Sequence, residues 1–221
     1  MDRAGHSKKI AALIVAAGTG TRFGSTTPKQ YVELGPKSLI RHSIDAFRDV
    51  GITDVLAVIH PDHYDFYIKA TEGLDILDPV GGGSTRAEST LAGLNALKNL
   101  APDYVLVHDA ARPFVDSHLI KRVIDGLTMA AGCIPAIAVT DTIKLVANNR
   151  IQQTLPRENL WRAQTPQGFH YPVLLDCFTK TTDNAFTDEA SLLEKFNIPV
   201  TMVMGSEENI KITFPSDLKG N

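Results

Sequence analysis

Disulfide frameworks, membrane spans and a strong charge of either sign are all missing from this sequence. Cys133 and Cys177 are its only cysteines; they lie far apart and match no metal-ligand spacing, so a reducing, cytoplasmic setting is expected. No segment approaches the roughly 18 apolar residues that a membrane span requires. The formal net charge of -3 argues against a general nucleic-acid binder. Any positive potential must come from individually placed Arg and Lys side chains. Internal repeats and low-complexity tracts are absent. Two familiar phosphate signatures are missing as well. Gly18, Gly20 and Gly24 are spaced G-x-G-x-x-x-G, one residue too long for the dinucleotide fingerprint, and Phe23 stands where its last glycine belongs. No G-x-x-x-x-G-K-[ST] occurs. A Rossmann dehydrogenase and a P-loop NTPase are both poor readings.

What is present is a short apolar strand that runs into a glycine-rich, cationic loop. Ile10 to Val15 is the kind of β-rich run buried in a parallel sheet, and Ala16-Ala17-Gly18-Thr19-Gly20-Thr21-Arg22-Phe23-Gly24 follows it directly. Glycines there let backbone N–H groups approach a ligand, small residues leave room for phosphates, and Arg22 and Lys29 supply charge. Lys8-Lys9 before this run imitates the start of a secretory signal. The apolar stretch is at the short limit for one, and it continues into the glycine loop rather than a cleavage region. Residues 1–9 read as a disordered leader.

With 221 residues, 43% of them hydrophobic, the chain suits one domain spanning 10–221. A core of that size buries roughly 70–75% of the unfolded surface, so no staple is required. Strands and helices alternate over the first two-thirds. A helix is predicted over Ser38–Val50, a strand over Val55–Ile59, a helix from Asp62 and a short strand around Leu74–Leu77. Gly81-Gly82-Gly83 opens a helix with Leu91, Leu94 and Leu97 on its core face. Tyr104–Val107 reads as a strand ending at His108-Asp109, and Ser117 as the cap of the next helix. The expected fold class is α/β: Rossmann-like, a mostly parallel twisted sheet with helices on both faces. Ligands of such sheets bind at the carboxyl ends of the strands, where both glycine loops and Asp109 should converge.

The rhythm changes after Val139. Thr142–Val146 and Ile151–Thr154 flank Ala147-Asn148-Asn149-Arg150, a hairpin signal. A β-arm at about 140–160 is expected to project from the domain, with a second subunit as its natural cover. Helix is expected again over Thr187–Phe196, and strands over Val200–Val203 and Ile210–Thr213.

Eight short motifs then fall in register. They are Ala16-Ala17-Gly18 through Arg22, Pro28-Lys29-Gln30-Tyr31, Arg86-Ala87-Glu88-Ser89 and His108-Asp109-Ala110-Ala111-Arg112-Pro113. Asp141-Thr142-Ile143-Lys144, Thr165-Pro166-Gln167, Thr187-Asp188-Glu189-Ala190 and Asn209-Ile210-Lys211-Ile212-Thr213 complete the set. In order and spacing, from about Ile10 to Leu218, the chain resembles the 2-C-methyl-D-erythritol 4-phosphate cytidylyltransferases of non-mevalonate isoprenoid biosynthesis. One departure concerns the end. The family usually closes with a helix after the Asn-Ile-Lys-Ile-Thr segment, whereas this chain stops at Asn221. Some bacterial relatives carry a cyclodiphosphate synthase after this domain, so a trimmed bifunctional parent is one expectation.

The resemblance implies a nucleotide-diphospho-sugar transferase-like fold and transfer of CMP from CTP to methylerythritol phosphate, releasing pyrophosphate. It implies that Arg22, Lys29 and Lys211 are catalytic. Ala16, Ala17, Gly18, Gly82, Gly83, Ser89 and Asp109 are implied to bind the nucleotide. Asp109, Arg112, Thr142, Arg157, Thr165, Thr187 and Lys211 are implied to bind the acceptor. Mg²⁺ or another divalent cation is expected, held mainly by the CTP phosphates with Asp109 as a candidate ligand. A homodimer is implied, with Thr142 and Arg157 entering the neighbouring subunit's site, and with neither a nucleic acid nor a membrane as partner. His108 has no implied role beyond structure. Two alternatives stay open: a ribitol-5-phosphate cytidylyltransferase and a catalytically inactive nucleotide-binding homologue.

Overall fold

The computed structural model describes residues 8–20, 23–181 and 186–218. Strand β1 (Ile10–Ala16) is followed by the small ribbon β2 (Glu33–Leu34) and β3 (Lys37–Ser38), helix α1 (Leu39–Asp49) and β4 (Asp54–Ile59). Next come α2 (Tyr64–Ala70), β5 (Val80–Gly81), α3 (Arg86–Ala96), β6 (Tyr104–Asp109) and α4 (Ser117–Gly126). The arm strands β8 (Ile143–Ala147) and β9 (Arg150–Leu155) lie between β7 (Gly132–Ala138) and β10 (Trp161–Ala163). Then β11 (Gln167–His170), α5 (Tyr171–Lys180), α6 (Glu189–Lys195) and β12 (Val200–Met204) complete the regular structure.

β1 lies near the middle of an eight-stranded sheet, parallel to β4 on one side and to β6 on the other. β5 extends the sheet beyond β4, while β11 joins β6 to β7 in antiparallel fashion. β10 and β12 pair with opposite edges of β7, since Ala136 faces Ala163 on one and Met204 on the other. The expected mostly parallel sheet is therefore present, with antiparallel pairings gathered around β11 and β10.

Alternation along β1 feeds two cores. Ala12 and Ile14 point to the face covered by α1 and α4, where Ile40, Ile44, Phe47, Leu119 and Val123 are buried. Ala11 and Leu13 point to the other face, under α3, α5 and α6, with Leu94, Leu174, Phe178, Leu192 and Leu193. Helix α3 lies close because of Gly93. A Cβ there would sit 2.3 Å from Leu13 Cδ1, so any side chain would push the helix off the sheet.

Caps set where the helices begin. Thr85 accepts from the Glu88 N–H, and Glu88 reaches back to the Thr85 N–H, a capping box that fixes the start of α3. For α4 the cap is Asp116, not Ser117. Its extended backbone lets the carboxylate accept from the Leu119 N–H at 2.8 Å, so Ser117 becomes the first helical residue. Asp188 does the same for α6, which starts at Glu189 rather than Thr187.

Two predicted strands do not form. Leu74–Leu77 makes one ladder-like contact, Leu77 N–H to the Val55 carbonyl, and regular pairing with β4 begins only at Val80. Ile210–Thr213 is likewise unpaired as a strand, because its backbone groups are taken by loops and side chains around the site. At the start of the chain Lys8 and Lys9, both within the expected leader, are tied to Asp103. Residues 1–7 lie outside the described residues.

The arm is as expected: β8 and β9 pair antiparallel across Asn148-Asn149, whose positive φ angles of 49° and 59° suit the tight two-residue turn. Leu145 and Ile151 on it are 50% and 66% exposed. Among the described residues no helix is long and apolar enough to cross a membrane.

Candidate active site

Register places the site. Val15 of β1 is level with Val58 of β4 and with Asp109 of β6, so the carboxyl ends of the three central strands open together. Over them lies a cavity of about 460 Å³. The glycine loop, Lys29, the start of α3 with Gly83 and Ser89, Asp109 and Lys211 line it. Ala16, Ala17 and Gly18 are on its wall as expected. Gly82 is behind the wall rather than on it: a Cβ there would meet Ala17 Cβ at 2.4 Å and Ser89 Oγ at 2.7 Å. The missing side chain lets the second glycine loop close on the first. Arg22 lies outside the described residues.

Several of these groups are held from behind. Lys29 donates to the Ile212 carbonyl at 2.8 Å, tying the glycine-loop side to the Asn209–Thr213 segment. Gln30, which the sequence reading gave no role, donates to the carbonyls of Ala16 and Gly18 at 2.5 and 3.2 Å, and so orients the loop backbone. The Ser89 hydroxyl donates to the Thr85 carbonyl and accepts from the Gly83 N–H. It therefore braces the loop as well as facing the cavity.

A second cavity, about 210 Å³, adjoins the first. Arg112, Gln164, Thr165, Gln167, Thr187 and Asp188 line it, together with Arg86, Asp109 and Lys211, which line both. These three form a shared wall. Lys211 Nζ stands 2.6 Å from Asp109 Oδ2, and Arg86 Nη2 is 3.3 Å from Oδ1. Burial would favour the neutral acid at Asp109, but Arg86 and then Lys211 outweigh it. Its carboxyl is held well below the usual carboxylate range and is ionised at neutral pH. Arg86 also pairs with the enclosed carboxylate of Glu189. Sequence reading missed both roles, although Arg86 and Glu189 stand inside two of its motifs. Nothing in a linear sequence pairs residues 86 and 189.

Thr165 sits at the back of the wall. Its hydroxyl accepts from the Asp109 N–H at 3.1 Å and lies 3.0 Å from His108 Nδ1, while His108 Nε2 is 3.1 Å from the Arg112 carbonyl. The partners assign a neutral ring, with Nε2–H donating to the carbonyl and Nδ1 accepting from the threonine. Burial, the chief cause, pushes the His108 pKa down to about 4. Unfolded, the ring takes its proton near 6.5, so the stability linked to the neutral form is complete above that pH and is lost as pH falls toward 4. The loss expected across this window is about 3 kcal/mol. Urea midpoints at pH 7 and pH 4.5 check it, and His108→Gln is expected to flatten the dependence.

Of the sequence-predicted acceptor residues, the structure brings Asp109, Arg112, Thr165, Thr187 and Lys211 together. Thr142 and Arg157 line neither cavity. Both are exposed on or beside the arm, where Arg157 donates to the Thr140 carbonyl. No group of three or more His, Cys, Asp or Glu side chains among the described residues could cage a metal.

The family model described as 2-C-methyl-D-erythritol 4-phosphate cytidylyltransferase matches residues 10–220. The chain belongs to that family. It is 48% identical, over 96% of its length, to a protein of Rhodospirillum rubrum named bifunctional enzyme IspD/IspF, and covers 56% of that protein. The corresponding bifunctional enzyme of Paramagnetospirillum magneticum is 45% identical over 96% of this chain and is 55% covered. The chain thus spans about half the length of these two relatives. Among solved structures, the 2-C-methyl-D-erythritol 4-phosphate cytidylyltransferase of Francisella tularensis superposes with a TM-score of 0.82 at 31% identity, covering 96% of this chain and 97% of that one.

Proposed function

We propose that this chain transfers CMP from CTP to 2-C-methyl-D-erythritol 4-phosphate, giving 4-diphosphocytidyl-2-C-methyl-D-erythritol and pyrophosphate. The observation that carries the reading is the pair of adjoining cavities with Arg86, Asp109 and Lys211 common to both. An oxygen of the acceptor phosphate attacks the α-phosphorus in line. The new P–O bond forms as the bond to the β-phosphate oxygen breaks, and pyrophosphate leaves. Negative charge gathers on the α-phosphate and on the leaving group, so placed cations and backbone N–H groups serve the reaction and no side-chain nucleophile is needed.

Arg22 and Lys29 take the α-phosphate and pyrophosphate in this reading. Gly83 and Ser89, with the backbone of Ala16–Gly18 and with Gly82 behind, receive the cytidine end. Arg112, Thr165, Thr187 and Lys211 receive the acceptor, and Asp109 meets hydroxyl groups at the wall. Mg²⁺ fits as a passenger of CTP: the phosphates would supply most of its oxygens, and among the described residues Asp109 is the one carboxylate lining the larger cavity, with no cage of acidic side chains. When bound, the ion neutralises phosphate charge.

The arm makes the unit a homodimer, with Thr142 and Arg157 reaching the partner subunit's acceptor cavity. Their absence from the lining of both cavities of their own chain and the exposed Leu145 and Ile151 support this. A cytoplasmic setting fits the two free buried thiols. Coupled detection of pyrophosphate tests the reaction. Release is expected to require CTP, a divalent cation and the acceptor phosphate together; release from CTP alone at the same rate would contradict it.

A further inference from the structure

Glu189 is the first residue of α6, and its side chain is 0% exposed. Ionised carboxylates are seldom enclosed unless paired. Here one oxygen, Oε1, meets two donors from α3: the Arg86 guanidinium, and the Thr90 hydroxyl at 2.8 Å. Arg86 and Thr90 are one turn apart, so the carboxylate grips α3 at two points. Its other oxygen has no hydrogen-bond partner among the described residues. From this anchor Arg86 extends Nε and Nη2 to Asp109 Oδ1, at 3.4 and 3.3 Å. Glu189 lines neither cavity, whereas Arg86 and Asp109 line both.

We propose that Glu189, assisted by Thr90, is a positioning residue: it fixes Arg86, and through Arg86 the direction of the Asp109 carboxylate. The inference rests on the transfer reaction proposed above. An arginine on a long flexible stem beside a triphosphate would otherwise turn to the phosphates and leave Asp109. With a carboxylate on either side its charge is balanced within the wall, and Lys211 and Arg112 remain to face the ligands. Buried ion pairs seldom add net stability, which makes geometry the better account of this one.

Glu189→Gln tests it, since the amide keeps the shape and still accepts from Thr90 while the charge is gone. The expected result is roughly a tenfold or greater fall in kcat, with CTP affinity and melting temperature close to the parent's. Added to Asp109→Asn, the same change is expected to lower kcat no further, because both act through one group. Parent-like kcat in folded Glu189→Gln, or losses that multiply in the double variant, would overturn the proposal. A readout independent of turnover separates it from the functional reading. The Arg86 Nε–H NMR signal is expected to be protected from solvent exchange in the parent and unprotected in Glu189→Gln. Should the parent transfer no CMP, the functional reading fails, and that signal alone decides the anchor: equal protection in both proteins refutes it.

Discussion

Lys211→Ala is expected to lower turnover by on the order of 10²–10³ while leaving the protein folded, the cost usual for removing one transition-state donor. The side chain is 43% exposed, and its ammonium stands on the wall between the two cavities, 2.6 Å from Asp109. Two effects of the change add. A cation on the wall common to both cavities disappears, and Asp109 keeps Arg86 as its nearest cation. Stability should change little, because a partly exposed ion pair is a minor contribution. The aliphatic stem leaves no enclosed cavity. Lys211→Arg restores a charge but not a compact one, so partial recovery is expected. Single-turnover rates with saturating CTP check both variants. An alanine variant within about threefold of the parent would remove Lys211 from the chemistry.

Mixing two inactive variants should restore activity if the acceptor site is shared. Lys29→Ala disables the glycine-loop side of a site, and Arg157→Ala disables the arm that enters from the partner. Random re-pairing makes half of the dimers mixed, and each mixed dimer holds one intact site of two. Recovery to about a quarter of the parent rate is the expected result for the proposed two-fold dimer. Within one chain Lys29 and Arg157 share no cavity. Lys29 lines the larger cavity, tied to Ile212, while Arg157 is exposed and bonded to the Thr140 carbonyl. A mixture as inactive as its components would mean that each chain builds its site alone. Co-purification of the untagged variant with an affinity-tagged partner confirms that exchange has occurred.

The parts of the fold that sequence reading captured are those written in local chemistry. Buried parallel strands are continuous apolar runs, so Ile10–Ala16, Asp54–Ile59 and Tyr104–Asp109 stand out, and the larger cavity lies at their carboxyl ends, where the rule for such sheets puts ligands. The arm was legible because two asparagines accept positive φ between alternating segments. Leu74–Leu77 misled because its apolar residues are partly buried by packing: Leu74 and Ile76 lie against one core and Leu77 against the other, with no ladder beside them until Val80. Ile210–Thr213 alternates like a strand, yet its carbonyl at Ile212 serves Lys29 and its N–H there serves Ala111. Asp116 and Ser117 are both good caps, and only the extended backbone at Asp116 decides between them.

Within the site, single residues of recognisable chemistry were found and their supports were not. Asp109 and Lys211 were both chosen from motifs, but their 2.6 Å pairing was not foreseen. The enclosed Glu189 and its grip on Arg86 and Thr90 depend on α6 packing against α3, a tertiary fact. His108 was left as structural, and its enclosed ring does serve the backbone of Arg112 and the hydroxyl of Thr165. Gln30 is similar, a polar residue whose use is to hold loop carbonyls.

The acceptor is the centre of the account. Pyrophosphate release is measured with CTP and Mg²⁺, offering 2-C-methyl-D-erythritol 4-phosphate and ribitol 5-phosphate in parallel at equal concentrations. A clear preference in kcat/KM for methylerythritol phosphate is the expected result. Preference for ribitol 5-phosphate would contradict the proposed acceptor, and silence with both would contradict the reaction.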